Sequence, residues 1–202
     1  LAGVMFLAGP AALGADLVEG VHYKTLQPAV PTSVAPGKVE VVEVFWYACG
    51  HCYLLEPRLA AWDRKGKPAY VELVRMPAVW NDLLKLHARL FYAIEILGKP
   101  QLHDEVFREI NVKRNRLDTP DKIAAFITSR GVSRAEFDKA FAGFAVESKL
   151  AKAADLNRRY RIVSTPTVIV NGKYVTDAAM AGGEDQLFQV IGALAAREKP
   201  AS

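Results

Sequence analysis

The sequence predicts an α/β protein in which one sheet domain is interrupted by an all-helical subdomain. Three observations predict it: a strand, a helix and a strand follow one another between residues 39 and 76, residues 81–160 carry helical periodicity alone, and a hairpin signal with a final helix follows from 161. With 51% apolar and 24% charged residues over 202 positions, the chain is long enough to bury a full core. The expected organisation is a leader remnant at 1–15, the first part of the sheet domain at 16–80, the helical insertion at 81–160 and the second part of the sheet domain at 161–202.

The first fifteen residues, LAGVMFLAGPAALGA, hold no charge and read as the apolar region and small-residue cleavage site of a secretory signal, cut near Gly14 or Ala15. A lipoprotein or membrane anchor is the alternative, disfavoured by the missing lipidation cysteine and by Pro10 in mid-run. Export places the chain in an oxidising compartment, where disulfide chemistry is expected. Gly20 to Leu26 can form an edge strand, and the proline-rich loop QPAVPTSVAPG separates it from Val39–Tyr47. That run, VEVVEVFWY, is almost continuously β-branched and aromatic, as in a strand buried on both faces. It leads into ACGHC and then a helix with Leu54, Leu55, Leu59 and Trp62 on helical spacing, which Pro57 should bend.

After the Gly66 and Pro68 break, Tyr70–Met76 supplies a second strand, completing a parallel βαβ unit. Five helical segments follow. Thr119 before Pro120 reads as an N-cap with proline at the first helical position, Gly131 ends that helix, and Ser133 with Glu136 fits a capping box. TVIV and KYVT flank Asn171-Gly172, a type I′ hairpin signal, and a last helix runs from about Gly183 to Arg197.

The formal charge of +4 is mild and spread along the chain, so nucleic acid is not an expected partner. Arg158, Arg159 and Arg161 are the densest basic group; they end a long helical stretch, where cations complement the dipole, with a docking patch as the alternative. His22, His87 and His103 show no ligand spacing and read as surface or satisfied core residues, and Trp46, Tyr47, Tyr53 and Trp80 as core or groove lining.

Only two cysteines are present, too few for a disulfide framework or a structural zinc site. What remains is one Cys-x-x-Cys. Cys49 falls where a buried strand meets a helix, and the unpaired N–H groups and dipole there favour a thiolate. Cys52 lies one turn inward on the same face, within reach of a disulfide. His51 can donate a hydrogen bond or a positive charge to the Cys49 thiolate, and Gly50 allows close backbone approach. The bland alternatives are an inert buried pair or a metal clip. Thr165-Pro166, ahead of the hairpin, is either a rigid trans start or a cis turn that exposes the Thr165 backbone to a substrate peptide. Glu43 is a carboxylate inside an apolar strand: it is either a buried proton acceptor for Cys52 or a salt-bridged residue near the sheet edge.

In order and spacing, FWYACGHCYLLEP (Phe45–Pro57), the helical insertion and STPTVIVNGKYV (Ser164–Val175) resemble the DsbA family of periplasmic thiol:disulfide oxidoreductases. The resemblance implies a thioredoxin-like fold carrying the helical insertion. It also implies that Cys49 is the exposed reactive thiol, Cys52 its buried partner, His51 the tuning residue, Pro166 a cis-proline beside the pair and Glu43 a buried acid. A low thiol pKa and an oxidising couple are known of DsbA and follow here by likeness alone. Gly50 departs from the pattern, since the best-known members have proline there; the difference bears on the strength of oxidation more than its direction.

The expected activity is donation of the Cys49-Cys52 disulfide to newly exported, unfolded proteins with free thiols in the periplasm, followed by reoxidation by a membrane protein of the DsbB type. No cofactor or metal is expected, and a monomer is the default. The alternatives are a disulfide reductase or isomerase, and a non-enzymatic module that binds a soft metal or holds peptides in the same groove.

Overall fold

A computed structural model describes residues 17–200, so the leader reading of 1–15 lies outside the described residues. Five strands form one sheet: β1 (Lys24–Thr25), β2 (Val39–Phe45), β3 (Val71–Pro77), β4 (Thr167–Val170) and β5 (Tyr174–Thr176), in the spatial order β1-β5-β4-β2-β3. The β-branched run is a central strand as expected: all seven residues of β2 are buried, with β3 parallel on one side and β4 antiparallel on the other. Strand alternation divides its side chains between two cores. Val39 and Val41 pack with Leu187, Val190, Ile191 and Leu194 of the last helix, α8 (Glu184–Arg197), while Val42 and Val44 pack with the helical block.

The helix after β2, α1 (Gly50–Ala61), includes Pro57 and leads into a π-helical turn at Trp62–Gly66. The inserted block comprises α2 (Asp82–Ile96), α3 (Leu102–Asn111), α4 (Pro120–Thr128), α5 (Arg134–Phe141) and α6 (Phe144–Arg159). Its boundaries follow from capping. The side chain of Asn81 accepts from Leu84 N, Thr119 accepts from Lys122 N ahead of Pro120, and Ser133 with Glu136 forms the expected capping box. The block returns to the sheet through Asn157, whose amide accepts from Val79 N at 3.3 Å and donates to Pro77 O at 3.3 Å, satisfying backbone groups at the end of β3 and just beyond it.

Asn171 (φ 52°) and Gly172 (φ 62°) make the β4–β5 turn with the two positive φ angles of a type I′ hairpin. Glycine is also a steric requirement there, because a Cβ at 172 would lie 1.8 Å from the Val30 carbonyl oxygen. Several expectations are corrected. The first strand is two residues long instead of the whole of Gly20–Leu26. Arg161 lies beyond α6 with φ 55°, so only Arg158 and Arg159 occupy the last turn. Of the aromatics read as core or groove lining, Trp80 is 46% exposed, which excludes the core half of that reading for it. A short helix, α7 (Ala178–Ala181), was not anticipated; four residues are too few to show a period, and it depends on the Asp177 side chain accepting from Met180 N and on Gly182 at φ 87°. Among the described residues, no helix is long and apolar enough to cross a membrane.

Candidate dithiol site

β2 delivers the chain to a turn in which Cys49 N donates to Trp46 O at 3.0 Å, and α1 begins at the next residue. Cys49 is therefore the N-cap of α1, with extended backbone angles (φ −85°, ψ 113°). Its sulfur takes the place of the usual capping oxygen and accepts from Cys52 N at 3.3 Å. Both cysteines are free thiols; Cys49 is half-buried and Cys52 fully buried. Their environments push the two in opposite directions. The Cys49 thiol is lowered to about 5 by the hydrogen bond from the Cys52 side chain and by the backbone N–H groups of Cys52 and His51, against the cost of partial burial. The Cys52 thiol is driven far up, first by burial and then by the neighbouring Cys49 and Glu43 charges. At neutral pH the pair thus holds one thiolate at the surface and one thiol beneath it.

The Thr165-Pro166 bond is cis, and Thr165 O lies 3.4 Å from Cys49 Sγ, although 116 residues separate the two. Beside the sulfur is a groove of about 270 Å³, lined among others by His51, Leu55, Thr165, Pro166, Ala178 and Ala179. The His51 side chain is exposed on its rim, and among the described residues its imidazole makes no hydrogen bond to Cys49. What reaches the sulfur from His51 is its backbone N–H. An added Cβ at Gly50 would meet nothing within 4 Å.

Glu43 lies in β2, one strand in from the β3 edge, and is fully buried. Neither carboxylate oxygen has a hydrogen-bond partner, and Arg75, its register partner on β3, stands 3.9 Å away. Burial, with the Glu56 charge next, pushes this carboxyl up to about 8 against the pull of Arg75. Arg75 is committed instead to Glu56, through bonds of 2.5 and 3.2 Å. Burial alone would raise Glu56 too, but His103 and Arg75 hold it below the usual carboxylate range. His103 completes the group, with Nδ1 2.9 Å from Tyr47 Oη and Nε2 3.5 Å from Glu56. Sequence reasoning missed Glu56, Arg75 and this role of His103. The one available signal was the four-residue spacing from Cys52 to Glu56, which puts both on one face of α1. Among the described residues, no three metal-ligating side chains come together.

The thiol:disulfide interchange protein DsbA of Pseudomonas aeruginosa is 36% identical over 97% of this chain and 92% of its own length. The chain belongs to the DsbA family. DsbA of Pseudomonas syringae pv. tomato is 38% identical over 97% of the chain and 92% of its own length, and that of Azotobacter vinelandii 39% over 93% and 87%. A family model described as DSBA-like thioredoxin domain matches residues 71–195; the cysteine pair precedes that span, so the likeness there rests on the DsbA relatives. The crystal structure of P. aeruginosa DsbA superposes with a TM-score of 0.86 at 36% identity, covering 92% of this chain and 96% of that one. DsbA from Xylella fastidiosa gives 0.83 at 30% identity, covering 91% and 98%. The fold is thus the thioredoxin-like fold of DsbA with its inserted helices, and the chain is a thiol:disulfide oxidoreductase.

Proposed function

We propose that this DsbA-family protein oxidises newly exported, unfolded proteins in the periplasm by donating a Cys49-Cys52 disulfide, and that a membrane protein of the DsbB type reoxidises it. The observation that carries the proposal is the contrast within the pair: Cys49 lowered to about 5 at the start of α1, over a Cys52 raised by burial. A stable thiolate favours the reduced protein, which makes the disulfide an oxidant.

In the reaction, a substrate thiolate bonds to Cys49 Sγ, the Cys49-Cys52 bond breaks, and the Cys52 sulfur leaves with the electron pair. Glu43, which holds its proton up to about pH 8, relays a proton to that sulfur. A second substrate thiolate then attacks the substrate sulfur of the mixed disulfide, and Cys49 departs as the thiolate. The substrate loses two thiol protons; one ends on Cys52 and the other in solvent. In reoxidation the relay runs backwards: Glu43 passes its own proton outward to solvent and takes the one that Cys52 releases. The Thr165 backbone and Pro166 hold the substrate peptide in the groove against Cys49.

Equilibrating the purified protein with glutathione buffers, and following thiolate absorbance across pH in the same samples, tests the proposal. A strongly oxidising couple with a thiolate formed well below neutral pH is expected. A reducing couple with an ordinary thiol pKa would overturn it in favour of a reductase.

A further inference from the structure

His87, on α2, joins the redox turn to the helical block. Trp46 Nε1 donates to its Nδ1 at 3.0 Å, and its Nε2 lies 3.1 Å from Arg116 O and 3.2 Å from Leu117 O. An indole nitrogen can only donate, so Nδ1 must present a lone pair. Carbonyl oxygens can only accept, so Nε2 must carry the proton. The three partners thereby select one neutral tautomer, in a ring only 1% exposed, where water cannot substitute. Each end is anchored. The Trp46 carbonyl accepts the N–H of Cys49, and Leu117 is fully buried with left-handed backbone (φ 47°) in the α3–α4 connection.

We infer that His87 is a positioning residue for the redox pair: through Trp46 it fixes the turn that sets the Cys49 sulfur on the N-terminus of α1, and it braces that turn against α2 and residues 116–117. The inference deepens the proposed function and rests on it. Hydrogen bonds to the sulfur depend steeply on angle, so a turn released from its brace loses part of the stabilisation of the thiolate. Glutamine can present the same acceptor and donor from one planar group, whereas leucine can fill the space with neither.

The test compares wild type, His87→Leu and His87→Gln, reading Cys49 thiolate absorbance against pH and the equilibrium with glutathione. His87→Leu is expected to raise the Cys49 pKa and to make the couple about tenfold less oxidising. In contrast, His87→Gln should stay within about twofold of wild type. Trp46→Phe removes the indole donor while leaving His87 in place, so it serves if His87→Leu does not fold, and the same shift is expected of it. A folded His87→Leu or Trp46→Phe that loses thermal stability yet keeps the wild-type Cys49 pKa and equilibrium would overturn the inference and leave His87 a packing residue. Failure of the underlying function would show instead in the wild-type protein, as an ordinary Cys49 pKa.

Discussion

At the scale of single residues, one carboxyl and one thiol group make opposite contributions to stability. Glu43 is raised from 4.5 to about 8 in the folded protein, so the fold holds a proton that the unfolded chain releases over that window. Its contribution is fully present below pH 4.5 and is lost as pH rises through 8. Cys49 is lowered from 9 to about 5, so its contribution to the reduced protein is present above pH 9 and lost as pH falls through 5. Oxidation removes the Cys49 titration and isolates Glu43. In urea unfolding of the oxidised protein, wild type is expected to weaken between pH 5 and pH 9 relative to Glu43→Gln, and parallel curves would show that the carboxyl is not buried in its acid form. His51 offers a second check. Because backbone N–H groups are the donors at the sulfur, His51→Ala should leave the Cys49 pKa well below the ordinary thiol value; a return to that value would assign the effect to the imidazole.

At the scale of elements, the start of α1 carries most of the local chemistry. Gly50 is its first residue, a position that proline suits because the N–H there has no partner within the helix. The N–H groups that act on the sulfur belong to His51 and Cys52 and would be untouched. Gly50→Pro is therefore expected to raise stability by about 0.4–1 kcal/mol, chiefly by restricting the unfolded chain, with little change in the Cys49 pKa. Thermal unfolding and a thiolate titration of the same variant check both halves.

For the whole molecule, the sheet and the inserted block meet around the pair: β2 and α1 supply the cysteines, the β4 approach brings Thr165 to Cys49, and α2 and α3 supply His87 and His103. Reduction of such a pair takes two electrons but only one proton while Cys49 stays ionised. The potential is therefore expected to fall by about 30 mV per pH unit above the Cys49 pKa and about 60 mV below it. Potentials measured from pH 4 to pH 8 check this, and a single steep slope throughout would mean that Cys49 is protonated at neutral pH.

The order of strands and helices, the caps at Thr119 and Ser133, and the Asn171-Gly172 turn were legible in the sequence, because periodicity, capping and turn chemistry act over a few residues. So was the place of Cys49 at a strand-to-helix junction. The four-residue helix α7 was not, since its cap and its left-handed glycine carry too little pattern to stand out from a loop. Glu43 left two readings open along the chain; the position of β2 between β4 and β3 decided that it is buried and nearly unpaired. Only the tertiary structure brought Thr165 to Cys49, tied Glu56 to Arg75 and set His87 beneath Trp46. The physical reason is that hydrogen-bond partners and desolvation are properties of packed faces, and residues far apart in sequence acquire them only when those faces meet.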